Sequence, residues 1–313
     1  MKRFLLTLAL FLAVQAPILG LFLGLYYGVH FENDPMAAIV DKERRLKETL
    51  GPRIIVVGDS GVPFGTVSPM IKEAFPQYNP LNSGLAAGFG HRVLLGEVEA
   101  AVQPGDMVVV CFVYELFTRN LLNAFFYPLS AQDPDVYLSL DQRDMSILGD
   151  NAFILVKSAM HHSRKLLFDP IDKAFAHPYA RNSYNEFGDI DAHYEMERPV
   201  GRPLTIKELE FDDFEYAAEI IQDINAFSAA CEAKGAKVVF LFPAISEESY
   251  QKHGAKMDRL AEVLESALTV PLLNRPNEAV FPKAMLYDTP YHLTGEGARQ
   301  RTERLVEALR EHL

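Results

Sequence analysis

Three side chains are spaced as a hydroxyl nucleophile, its base and an orienting carboxylate would be. Ser60 lies in Gly58-Asp59-Ser60-Gly61, directly after the apolar, β-branched run Arg53-Ile-Ile-Val-Val57. Glycines on both sides let the backbone turn sharply and leave the hydroxyl unobstructed, while nearby N–H groups can receive an oxyanion. A serine hydroxyl needs a base to become nucleophilic. His292, in Tyr287-Asp288-Thr-Pro-Tyr-His292-Leu-Thr-Gly, is the best-placed one, and Asp288 is the adjacent carboxylate that would orient its ring. Each residue also has a plainer reading: Ser60 in a structural turn, His292 as a loop histidine near a helix N-terminus, Asp288 as a turn residue before Pro290. Asp59 reads as a carboxylate that holds its loop.

For residues so far apart to meet, the chain must bring a strand end to a late loop. Arg53–Val57 reads as a strand, Pro69–Phe75 as a helix, Tyr78–Leu81 as a strand, His91–Val102 as a helix and Met107–Val113 as a strand, a βαβαβ unit. The rhythm returns with a helix over Phe211–Lys234, a buried strand over Lys237–Phe242, a helix over Glu247–Leu268 and a short strand over Val270–Leu273. Continuous apolar strands between helices imply a parallel sheet covered on both faces. In such sheets ligands bind at the carboxyl ends of the strands, where Ser60 would sit. Residues 118–202, rich in Asn, Asp, Tyr, His and Pro, read as an insertion with one helix over Ile147–Leu167. Its Tyr127, His161, His162, His177, Tyr184 and His193 would form either a lid over the site or a peripheral subdomain with no chemical role.

Strand-Gly58-Asp59-Ser60, a glycine after the second strand at Gly84, and the late Asp-Pro-His-Leu segment resemble the SGNH, or GDSL-like, hydrolases. The resemblance implies a three-layer α/β/α sandwich with a parallel sheet, and esterase, lipase or carbohydrate O-acyl esterase and transferase activity. It assigns Ser60 as nucleophile, His292 as base, Asp288 as triad carboxylate and the Gly84 N–H, with that of Ser60, as oxyanion donors. Two departures stand out. Aspartate and histidine are spaced D-x-x-x-H where the family has D-x-x-H, so His292 takes its partner from Asp288 or from elsewhere. Val113-Tyr-Glu-Leu-Phe117 stands where the family has Gly-x-Asn-Asp, which leaves Asn82 as a substitute donor or as a turn residue. The resemblance covers the sheet-forming parts and leaves the insertion unaccounted for.

The 313 residues, 49% hydrophobic and 23% charged, exclude disorder and coiled coil. From Phe4 to Gly28 no residue is charged. At about 1.5 Å per residue this stretch is roughly 37 Å of helix, enough for a hydrocarbon core of about 30 Å. It runs on past the length of a cleavable signal to Tyr26 and Tyr27, which favours an uncleaved anchor over a signal peptide. Lys2 and Arg3 before it mark the cytoplasmic side. Residues 1–30 are therefore expected to be a single-pass anchor in a bacterial-type inner membrane, and 31–313 one α/β domain in the periplasm or at the cell surface. Setting Lys2 and Arg3 aside, the remainder carries about −14, which argues against nucleic acid. Cys111 and Cys231 read as buried thiols, with a single bridge the alternative. There is no CxxC or HExxH pattern, and Gly58–Gly65 lacks the Lys-Ser/Thr of a phosphate loop, so no cofactor or metal is expected. Two functions remain. One is a serine hydrolase or O-acyltransferase acting on acyl esters of surface polysaccharide, beside a membrane O-acyltransferase or another envelope partner. The other is a catalytically silent module of the same fold that binds glycan or scaffolds an envelope assembly.

Overall fold

The computed structural model describes residues 1–123, 126–168, 177–210 and 215–313; for residues 215 and 216 it describes the backbone alone. Four strands, β1 (Arg53–Gly58), β2 (Asn79–Asn82), β3 (Met107–Cys111) and β4 (Lys237–Phe240), form a wholly parallel sheet in the order β2-β1-β3-β4. In register, Ile55 faces Leu81 on one side and Val108 on the other, and Val109 faces Val239. Side chains alternate between the two faces. Ile55, Val57, Val108, Val110 and Phe240 pack against helices α2 (Ala38–Glu48), α4 (His91–Ala101), α8 (Glu215–Ala233) and α9 (Glu247–Ala267). Ile54, Val56, Met107, Val109 and Val239 pack against α3 (Ser68–Ala74) and α10 (Gly295–Leu309). The fold is the expected three-layer α/β/α sandwich, with a small parallel pair, β5 (Ile245–Ser246) and β6 (Val280–Phe281), beside it.

Several element boundaries differ from the expectation. Val270–Leu273 is not a strand: it adds one bridge, Phe240 to Leu272, at the edge of β4. Phe240 N–H donates to Pro271 O and Leu273 N–H to Phe240 O, but Pro271 has no N–H with which to extend the ladder. The helix expected over Ile147–Leu167 is two helices, α6 (Gln142–Asp150) and α7 (Ala152–Phe168), after α5 (Phe126–Gln132). Asn151 separates them, its N–H and side-chain amide both turned back onto the Ile147 carbonyl. The expected start of α8 at 211–214 lies outside the described residues. Cys111 and Cys231 are free, buried thiols, so the alternative bridge is not formed.

At the N-terminus, α1 (Lys2–Gly28) is long and apolar enough to cross a membrane. Among the described residues its last turns meet the core, where Phe22, Leu23, Tyr26 and Tyr27 pack. The Tyr26 ring lies edge-on to His162 of α7, whose Nε2 donates to Val29 O at 2.7 Å.

Beneath β1, Arg53 is fully buried. Its Nε lies 3.0 and 3.1 Å from the two carboxylate oxygens of Asp106, and its Nη atoms donate to the carbonyls of Leu46 and Ala101. One side chain thus joins the end of α2, the end of α4 and the start of β3. Asp106→Ala would strand a buried guanidinium, and should lower unfolding free energy in denaturant by about 3–5 kcal/mol; a loss below 1 kcal/mol would show that the pair does not hold these ends together.

Candidate active site

The loop after β1 is built around Asp59. Its buried carboxylate accepts from Gly61 N–H at 2.9 Å and from Val113 N–H, just past β3, at 2.6 Å, which binds the ends of adjacent strands together. Burial pushes the Asp59 carboxyl up, and the two N–H groups oppose that shift. Val62 N–H to Asp59 O, Phe64 N–H to Ser60 O and Gly65 N–H to Val62 O then close successive turns that raise Ser60 at the sheet's edge. Arg301 of α10 supports the far end of the loop, donating to Gly65 O at 2.9 Å and to Thr66 Oγ1 at 3.3 Å.

His292 reaches this loop from the segment before α10. Thr289 Oγ1 accepts from the N–H groups of Tyr291 and His292, and Tyr287 N–H donates to His292 O, folding 287–292 into a tight loop. That loop places His292 Nδ1 2.8 Å from Asp288 Oδ1 and His292 Nε2 2.9 Å from Ser60 Oγ. The D-x-x-x-H spacing therefore brings Asp288 to the imidazole through this turn, and among the described residues no other carboxylate bonds to it. The Asp288 carboxylate can only accept, so the Nδ1 proton points to it and Nε2 faces the Ser60 hydroxyl. Phe64 lies flat on the imidazole, with ring centroids 4.0 Å apart and planes 3° apart, so the ring has one orientation.

Sequence reasoning missed Tyr179. Its hydroxyl donates to Asp288 Oδ2 and lies 3.3 Å from His292 Nδ1. Burial raises the Asp288 carboxyl, but the hydrogen bonds from His292 and Tyr179 outweigh it and hold the group below the ordinary carboxylate range. No pattern around Tyr179 announces this role. The only hint was its place in the aromatic insertion.

The insertion divides between the two readings given above. Ile190 N–H donates to Pro63 O, His193 packs 4.8 Å from Phe64 and donates from Nε2 to Leu293 O, and Tyr184 packs with Phe64 and Tyr287. Residues 177–194 thus wall the candidate site. Tyr127, bonded to Leu148 O, and His162, bonded to Val29 O, stand instead on the side facing α1. His161 is exposed on α7, and His177 holds Ser183 Oγ.

The oxyanion expectation needs correction at Asn82. Its amide hydrogens are taken by Asp189 Oδ1 at 2.8 Å and Val62 O at 3.3 Å, and its Oδ1 accepts from Gly84 N–H at 3.1 Å. Gly84 is a glycine for steric reasons: a Cβ there would sit 2.5 Å from Val62 Cβ and 2.6 Å from Pro63 Cδ, within the serine loop. Of the three expected donors, only the Ser60 N–H has no hydrogen-bond acceptor among the described residues. Where the resemblance expects an asparagine, Glu115 accepts from the Tyr291 hydroxyl, and burial raises its carboxyl.

No protein-family model matches the chain, and no curated protein matches it. Among solved structures, the protein YxiM from Bacillus subtilis is similar at 12% identity and a TM-score of 0.34 over 84% of this chain, which spans 57% of that protein. The parallel-sheet fold itself is compatible with an SGNH-like hydrolase.

The Tyr179 bond gives a prediction with a defined sign. A depressed carboxyl contributes stability that is present above its unfolded pKa and lost as pH falls through the folded one. Tyr179→Phe should cost about 1 kcal/mol at pH 7, with the gap from the wild type closing below roughly pH 4. Thermal unfolding of both proteins across that range measures it, and a gap independent of pH would mean that Tyr179 acts through packing alone.

Proposed function

We propose that the protein is a membrane-anchored, extracytoplasmic serine hydrolase or O-acyltransferase of the SGNH-like kind, acting on acyl esters. The observation that carries this reading is the continuous chain from Ser60 Oγ through His292 to Asp288, at 2.9 and 2.8 Å, with Phe64 fixing the imidazole. Ser60 Oγ attacks the ester carbonyl carbon as His292 Nε2 takes the hydroxyl proton, and the oxyanion develops beside the Ser60 N–H. The tetrahedral adduct collapses by expelling the alcohol, which takes the proton back from His292, and leaves acyl-Ser60. Water or a sugar hydroxyl, deprotonated by the same nitrogen, then attacks the acyl carbon and frees the serine. Asp288 holds the productive tautomer and stabilises the imidazolium, and Tyr179 holds Asp288. The family resemblance favours acyl groups of surface polysaccharide, with an envelope acyltransferase as partner.

A second reading has its own support. The segment Val113–Phe117 carries Glu115 in place of an amide donor, and both Asn82 hydrogens are committed, as a silent glycan-binding or scaffolding module would allow. Losing one oxyanion donor costs about 10²–10³ in rate. The full-length chain in detergent should be labelled by a fluorophosphonate at Ser60. Ser60→Ala should abolish labelling, and Asp288→Asn, by favouring the wrong tautomer, should slow it by about 10⁴. Glycan binding by a chain that takes up no label would overturn the enzyme in favour of the module. Acyl release to water, compared with transfer to an oligosaccharide, separates esterase from transferase.

The membrane placement is supported by a second feature of the helix that packs on α1. Phe153, Met160 and Leu167 lie exposed at helical spacing on one stripe of α7, with Phe168 beside them. The full chain should stay with membranes through an alkaline carbonate wash; recovery in the soluble fraction would overturn the anchor.

A further inference from the structure

Away from the serine loop, three acidic side chains from separate segments converge. Glu43 lies on α2, Glu97 on α4, and Asp133 just past α5, and one carboxylate oxygen of each lies within 4.8 Å of the others. Asp133 is 9% exposed. Its Oδ1 accepts from Asp135 N–H at 3.0 Å, while its Oδ2 is buried with no hydrogen-bond partner. A buried carboxylate oxygen without a donor is costly unless something positive meets it. Lys47 pairs with Glu43, its Nζ 3.0 Å from Glu43 Oε2 and its side chain mostly exposed.

We propose that Glu43, Glu97 and Asp133 form a calcium site. The ligand set is all oxygen, which suits a hard cation and not the nitrogen and sulfur preferences of zinc. Three protein carboxylates converging on one ion suit calcium, which takes about six to eight oxygen ligands in flexible geometry, whereas magnesium is usually held by one or two carboxylates and keeps several waters. The ion would join the helix that follows the anchor (α2), a core helix (α4) and the start of the insertion (α5). It is independent of the acyl chemistry proposed above. No local motif reports it, because its ligands are single residues from three segments.

Thermal unfolding of the full-length chain in detergent at pH 7.5 tests it, with EDTA, calcium or magnesium as the added variable. Calcium at 1 mM should raise the midpoint by about 5 °C or more over EDTA, and magnesium by clearly less. Glu97→Gln and Asp133→Asn keep the side-chain shape and remove the repulsion, so their midpoints in EDTA should equal or exceed the wild type's, while their calcium response is lost. A wild type indifferent to calcium, an equal response to magnesium, or a calcium response that survives in both variants would each overturn the site.

Discussion

The carboxylate of Asp59 is the constraint on which the rest of the site depends. It is buried at the ends of the two central strands, and each of its oxygens accepts a backbone N–H, one from the serine turn and one from the segment after β3. A parallel sheet leaves the carboxyl ends of its strands without ladder partners, and a side chain placed there decides how the exiting loops sit relative to each other. With Asp59 holding Gly61 and Val113, the loop has one path, Ser60 stands at its outer edge, and Phe64 comes down on the imidazole. The register of β1 against β3 and the position of the hydroxyl are therefore one fact of the structure.

A second buried polar centre docks the insertion. Asp189 accepts from Ser68 N–H, Ser68 Oγ and Asn82 Nδ2, all at 2.8 Å, and Lys42 Nζ donates to Asn82 O and Gly188 O at 2.7 and 2.8 Å. Gly188 has φ of +94°, and a Cβ there would lie 2.4 Å from Asn82 O, so the chain can approach this closely only with glycine. Burial pushes Lys42 down to about 7 and raises Asp189, as expected of charges removed from water, Lys42 being held by two carbonyls and Asp189 by one N–H and two side chains. Asn82 lies at the middle of this centre, so its amide serves the docking of residues 185–190. That docking carries Ile190 and His193 against the serine loop and the imidazole, and Tyr179 reaches Asp288 from the same stretch.

How much of this was legible in the sequence follows from how local each signal is. The strands β1, β3 and β4, the helices on both faces and the pairing of Ser60 with His292 and Asp288 rest on apolar runs and on motifs a few residues long, and these the sequence states directly. The extra residue between Asp288 and His292 looked like a departure, yet it is absorbed by a turn that Thr289 closes, a local effect hidden only by comparison with a different spacing. Asn82 misled only as an oxyanion donor. Its Oδ1 closes the local turn by accepting from Gly84 N–H, while its amide hydrogens go to Val62 and Asp189, 20 and 107 positions away. Tyr179 and the Glu43, Glu97 and Asp133 cluster gave no warning at all, since a tyrosine in a polar insertion and acids on amphipathic helices are what a solvated surface also looks like. The role of Tyr179 comes from where its part of the insertion lands, set by Asp189, Lys42 and Gly188 acting together, while the acidic cluster draws single residues from α2, α4 and the end of α5, so no short window of sequence contains either.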